Sequence, residues 1–227
     1  VNDGITDNTE VVKKAVQYCK EKNKDLYIEQ GTYLIKDRII IDFPLRIQGS
    51  NIDNTKLLFE LPEPSTETKY DDTYWEESNS AFIIKSDNAA ISNLTIQNKN
   101  LEDRRWNGII FHYPKTKDDG SKFYASSERC ELSSLNIKNF KSGIFIYGGW
   151  SRNISMSKIF DCTYGIKYEA LENINWSTSG DMISNCYIAG SKECGLYANK
   201  TFETSIDGVI FEYNKIPTMA GLSSFAH

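Results

Sequence analysis

Several things are scarce in this sequence. No apolar run approaches the ~18 residues needed to cross a bilayer as a helix, so no membrane span is expected. No basic block occurs, and with 26 Lys and Arg against 31 Asp and Glu the formal net charge is −5. That argues against non-specific binding to nucleic acid, which needs clustered positive charge. Histidine is limited to His112 and His227, so a His-centred catalytic triad would have to use His112, and no GxSxG elbow accompanies it. No glycine-rich phosphate loop is present. The five cysteines, at 19, 130, 162, 186 and 194, show no CxxC metal spacing. They are expected to be buried small apolar residues, with a disulfide between stacked strands as the alternative reading. No metal or other cofactor is implied, and no signal peptide is visible.

The rest suits an ordered chain: 40% hydrophobic and 25% charged over 227 residues. The first part is organised around one helix. Asp7 followed by Glu10 has capping-box spacing. Val11, Val12, Ala15, Val16 and Cys19 then recur at helical period, with lysines opposite. After Asn23 the pattern becomes strand-like, through Leu26, Ile28, Tyr33, Ile35 and Ile39–Ile41. A lone helix ahead of many short strands is expected to plug the open end of a strand stack.

A repeat follows. NLTIQN (93–98), SLNIKN (134–139), SKIFD (157–161), NCYIAG (185–190) and DGVIFE (207–212) share one alternating shape. Aligned on Ile96, Ile137, Ile159, Ile188 and Ile210, they are separated by 41, 22, 29 and 22 residues. A basic coil of about 22 residues is implied, with insertions in the first and third gaps. A second motif accompanies the first four: NGIIFHY (107–113), SGIFIY (142–147), YGIKY (164–168) and CGLYA (194–198). Stacking such coils would bury one apolar column. Asn and Gly at strand ends suit left-handed corners, and Asn98, Asn139 and Asp161 could also hydrogen-bond along the stack.

Two stretches depart from the repeat, 62–80 and 99–131, the second with a strand near Ile109–Phe111. If their host coils are neighbours, they lie side by side on one face, where solenoids tend to carry function.

The segments DGITDNTE (3–10), LYIEQGTYLI (26–35) and LRIQGSN (45–51) resemble the opening of the pectate-lyase-type right-handed parallel β-helix family. Glu29 stands where that family often has proline. The resemblance is close over about the first 50 residues and rests on the repeat beyond them. It implies an all-β fold: a right-handed parallel β-helix (solenoid) with an N-terminal capping α-helix. The expected layout is a single β-helix domain over 1–227, with a helical cap over 1–25, coils from about 26 and long loops at 62–80 and 99–131. The apolar tail KIPTMAGLSSFAH (215–227) does not look like a cap, so the chain is expected to be part of a longer protein.

The composition further resembles phage tailspike and tail-appendage β-helices. That resemblance implies a virion-tail domain that binds, and often degrades, bacterial surface polysaccharide or teichoic acid as a homotrimer. A non-catalytic receptor-binding spike and a secreted polysaccharide lyase or glycoside hydrolase are the alternatives. Glycoside hydrolysis needs two carboxylates flanking the scissile bond. The candidates are Asp118, Asp119, Glu76, Glu77 and Asp103, with a pair expected to combine one acid from each loop. Trp75, Trp106, Tyr113, His112, Arg104 and Arg105 could line a sugar cleft. A lyase would use Arg104, Arg105, Lys115 or Lys117 against a uronate carboxylate. Neither the pectate lyases' calcium-carboxylate set nor the polygalacturonases' NTD, DD, GHG and RIK run is found in order. The same acids also read as ordinary solvating residues of exposed loops, and His112 as a half-exposed strand residue. Trp150, in a Trp-Ser-Arg turn, and Trp176 are further aromatic candidates; Trp150 reads better as a corner or inter-subunit packing residue.

Overall fold

A computed structural model describes residues 2–63, 79–102, 104–111, 115–116, 122–123, 127–169, 178–199 and 201–220. The chain is a right-handed parallel β-helix, nearly all β with one helix. Three faces run along it. The first face stacks Leu26–Ile28, Arg46–Gly49, the leading half of Ala90–Asn98, the leading half of Glu131–Lys138, Asn153–Ser155, Met182–Ser184 and Ser205–Asp207. The second face stacks Gly31–Ile35, Thr55–Phe59, the trailing halves of the same two long strands, Lys158–Phe160, Tyr187–Ala189 and Ile210–Glu212. The third is a seven-stranded sheet of Ile39–Ile41, Ser80–Ile84, Asn107–Phe111, Ser142–Tyr147, Tyr164–Glu169, Cys194–Ala198 and Ile216–Ala220.

The corners explain why the chain turns where it does. Asn93, Ser134, Met156, Asn185 and Gly208, with φ between 49° and 61°, mark the bend from first to second face. Asn139, Asp161, Gly190 and Tyr213 mark the bend that follows, with φ between 53° and 68°. Left-handed backbone is uncommon outside glycine, so these positions fix where each coil bends. Backbone N–H groups at the corners donate up the stack: Asn139 to the Phe160 carbonyl at 3.2 Å, Asp161 to Ala189 at 3.1 Å and Gly190 to Glu212 at 3.1 Å.

These corners also set the register. Ile96, Ile137, Ile159 and Ile188 stack directly, as the repeat predicts. The last rung differs. Ile188 pairs with Phe211, not Ile210, because three residues separate each of these from its corner at Asn185 or Gly208. Ile210 consequently points outward and is 57% exposed. Burying each such Ile contributes ~1.5–3 kcal/mol relative to exposure.

On the third face a glycine column lies against this isoleucine column. A Cβ on Gly143 would lie 2.5 Å from Ile159 Cγ2 and 2.8 Å from the Gly165 carbonyl oxygen; one on Gly165 would lie 2.4 Å from the Gly195 oxygen. No side chain fits there, which accounts for the invariant second letter of SGIFIY, YGIKY and CGLYA.

The helix, α1 (Thr9–Lys22), buries Val12, Val16 and Cys19 in the same core as the first coils. Its start differs from the sequence expectation. Asn8 is the N-cap residue and makes no side-chain cap bond, while Asp7, one residue earlier, accepts from the Thr9 N–H at 2.9 Å and the Thr9 hydroxyl at 2.6 Å. Asp3–Asp7 is not a simple turn but a short strand parallel to Gly31–Ile35. Asp3 accepts from the Ile5 and Thr6 N–H groups, which lower its pKa to about 2. Val11, counted with the apolar stripe, faces solvent. All five cysteines are buried free thiols. Among the described residues, no helix is long and apolar enough to cross a membrane.

Candidate functional site

The insertions cluster on the third face. The 62–80 segment enters the strand Ser80–Ile84, and 99–106 enters its neighbour Asn107–Phe111, so both open at the same edge of the sheet. Arg105 and Glu63 join them there, with Nη1 to Oε2 at 2.5 Å and Nη2 to Oε1 at 3.2 Å. The remainder of the second insertion leaves from the opposite edge after Phe111, as does 170–177 after Glu169. Lys115–Thr116 and Lys122–Phe123 pair antiparallel within it. Asn107–Phe111 between these insertions is a fully buried rung of the sheet.

The outer side of this face is apolar and aromatic where alternation would make it polar. Ile40, Ile83, Ile110, Phe145, Lys167 and Tyr197 stack outward in register. Side chains alternate across a strand, and the neighbours of Ile83, Ile110 and Phe145 point into the core. These three therefore form a separate buried cluster on the outside. Next to it Lys167 Nζ lies 5.3 Å from the Phe145 ring centre, 5.2 Å from Tyr164 and 5.7 Å from Tyr197. The Tyr164 and Tyr197 rings meet edge-on at 5.8 Å. Lys167 is also paired with Glu169 at 2.7 Å. Cation–aromatic contacts of this kind contribute ~0.5–2 kcal/mol each, more as water is excluded. Phe145 is itself covered, so the half-buried Tyr164 and Tyr197 are the rings this patch offers to the apolar side of a sugar, with the Lys167–Glu169 pair for its hydroxyls.

Of the residues predicted from sequence, Asp118, Asp119, Glu76, Glu77, Asp103, Trp75, His112 and Tyr113 lie outside the described residues. Lys117 and Trp176 do too. Others are placed. Arg105 is exposed at the loop edge, paired with Glu63. Arg104 is half-buried; its Nε and Nη1 are shielded from solvent and make no hydrogen bond among the described residues. Such donors are costly to leave unmet. Trp106 is a correction: it is 4% exposed and belongs to the interior core, so its ring packs among core side chains and is not offered to a sugar. Trp150 is half-buried at the corner.

Tyr164, Lys167, Glu169 and Tyr197 were missed. Their signal was present in YGIKYEA and CGLYANK, as the outward positions of the second motif. Among the described residues, no group of three or more His, Cys, Asp or Glu side chains is placed to hold a metal.

No family model matches the chain. It resembles the K30/K69-specific capsule depolymerase of Klebsiella phage K64-1, 22% identical over 196 residues, which are 85% of this chain and 23% of that protein. The ORF18 protein of Geobacillus virus E2 superposes over 93% of this chain and 40% of its own, with a TM-score of 0.70 and 14% identity. The gp49 tailspike of Acinetobacter baumannii bacteriophage Fri1, a capsular polysaccharide depolymerase, covers 96% of this chain and 45% of its own, with a TM-score of 0.62 and 10% identity. The fold is that of the phage tailspikes. The chain spans less than a quarter of the curated relative it matches.

Proposed function

We propose that the chain is the polysaccharide-handling β-helix of a phage tail protein, which binds and degrades a glycan of the bacterial surface. The observation that carries this reading is the outer third face, where the half-buried Tyr164, Lys167 and Tyr197 form a cation–aromatic patch between two edges bearing insertions. The likeness to a capsule depolymerase and to a depolymerase tailspike supports the substrate class. A polysaccharide chain lies along the face, with its apolar ring sides on the tyrosines. Cleavage falls to acids of the flanking insertions, Asp118, Asp119, Glu76, Glu77 and Asp103, in one of the two carboxylate geometries of glycoside hydrolases. If the polymer is a uronate, Arg104 and Arg105 neutralise its carboxylate and the reaction is an elimination. Teichoic acid is an alternative polymer of the same surface.

A second reading, a non-catalytic receptor-binding spike, is favoured by one observation. Glu169, the carboxylate at the described patch, is already paired with Lys167. The protein acts at the virion tail as a homotrimer in either reading. Met156 and Ile210, exposed apolar residues of the second face and of its corner with the first, suit contact between chains.

The test is incubation with capsular polysaccharides and teichoic acids, following reducing ends and absorbance in the unsaturated-uronate band. New reducing ends without absorbance mean hydrolysis; absorbance means elimination. Binding with neither favours the second reading.

A further inference from the structure

Charges on the outside of this solenoid are repeatedly answered by a neighbouring side chain. Lys36 and Lys99 both reach Glu60, Lys20 reaches Asp42 and Lys215 reaches Glu193. One place on the first face departs from this. Arg46, Ala90 and Glu131 occupy three successive rungs in register. Ala90 and Ser92 face outward, because Ile91 between them is buried in the core. The backbones of Arg46 and Glu131, residues of opposite charge, are thus about 9–10 Å apart across two strand spacings, with Ala90 on the rung between them. Neither side chain makes an ion pair or hydrogen bond among the described residues. The short side chains of Ala90, Ser92 and Ser133 leave a hollow of about 200 Å³ between them, walled by Tyr27 and Gln48.

We infer that this hollow binds one uncharged hexopyranose residue of a glycan. Tyr27 is 59% exposed and its hydroxyl is hydrogen-bonded at 2.9 Å to Ser50 Oγ, so this side chain is both accessible and held at the wall of the hollow. A pyranose presents an apolar face to such a ring and equatorial hydroxyls around its edge. The Glu131 carboxylate accepts from two adjacent hydroxyls, and the Arg46 guanidinium donates to oxygens on the far side. The serines and Gln48 serve the hydroxyls between. Glu131 and Asp25 on the lining disfavour a uronate. The hollow uses none of the residues of the third face, so either can fail while the other stands.

The test is a titration of the ¹⁵N-labelled chain with glucose, galactose and N-acetylglucosamine, following amide shifts. At least one of these sugars is expected to shift the Ser92, Glu131 and Ser133 amides saturably. Ala90→Leu fills the hollow from outside while leaving Ile91 in the core, and Glu131→Gln removes the charged acceptor. Each is expected to weaken binding by about tenfold or more, the acceptor bond being charge-assisted. An unchanged thermal midpoint checks that Ala90→Leu has folded, and Glu131→Gln decides the matter if it has not. The inference is overturned if none of the three sugars moves these amides, or if the shifts survive the variant that decides. It is equally overturned if the amides move with protein concentration instead of sugar, which would make the hollow a contact between chains.

Discussion

The Arg152 guanidinium and the Asp181 carboxylate form an ion pair inside the solenoid, 2.8 Å apart, with side chains 0% and 1% exposed. Asp181 also accepts from the Arg152 backbone N–H at 2.9 Å. Arg152 reaches the Ser127 carbonyl at 3.1 Å and the Gly148 carbonyl, and its guanidinium covers the Phe111 ring at 5.2 Å. One side chain thereby ties together three successive exits from the third face. The Tyr168 hydroxyl, buried among the same groups, has its pKa raised well above the usual phenol value by burial and then by the Asp181 charge.

Removing one partner leaves the other buried and uncompensated. Arg152→Met or Asp181→Leu alone should cost about 3–5 kcal/mol. The double variant should lose less than the sum of the two, since no unpaired charge remains. Urea unfolding of the four proteins in a double-mutant cycle measures this; strict additivity would count against the pair as described.

This pair was invisible in the sequence. Arg152 reads as part of an exposed Trp-Ser-Arg turn, and its partner lies 29 residues away. The coils themselves were legible, because Ile96, Ile137, Ile159 and Ile188 repeat in both spacing and type. The slip at Ile210 shows the limit of that reading: a left-handed corner sets the register, and an isoleucine one place off only imitates it. Trp106 was misread for a related reason. It stands among Arg, Asp and Glu in sequence, yet it immediately precedes a fully buried strand. The third-face patch was missed because its members come from three strands of successive coils, Ser142–Tyr147, Tyr164–Glu169 and Cys194–Ala198, brought together only by stacking.

The glycine column tests the stacking directly. Gly143→Ala places a methyl group against the Gly165 carbonyl and the Ile159 side chain, neither of which can move without shifting a rung. A loss of about 1–3 kcal/mol is expected, as for overpacked cores. A thermal midpoint equal to that of the parent protein would contradict the packing.

Burial holds the thiols protonated, raising Cys130 to about 11 and Cys162 to about 12 from a reference of 9.0. A group whose folded pKa is raised favours the fold below its unfolded pKa and withdraws that support as pH climbs toward the folded value. Stability should therefore fall between pH 9 and pH 12, and none of the five thiols should react with a disulfide reagent at pH 8 until the chain is unfolded. Rapid labelling of the folded chain would show that the cysteines are not where the structure puts them.

The insertion acids are tested one at a time. Among Asp118→Asn, Asp119→Asn, Glu76→Gln, Glu77→Gln and Asp103→Asn, loss of a true general acid or base should lower kcat by ~10²–10⁴ with little change in KM. Full activity in all five variants would remove these residues from the chemistry.

The central claim is that a surface polysaccharide lies on the outer third face. Tyr197→Ala removes a ring from the Lys167 cage and leaves Leu196 in the core. The polysaccharide's size distribution after incubation with the parent protein and with Tyr197→Ala measures the claim most directly. The parent should shorten a capsular polysaccharide and Tyr197→Ala should shorten it at least severalfold more slowly, with an unchanged thermal midpoint. Equal shortening by the two proteins would place the glycan elsewhere on the molecule, and neither shortening nor binding by the parent would contradict the proposed function itself.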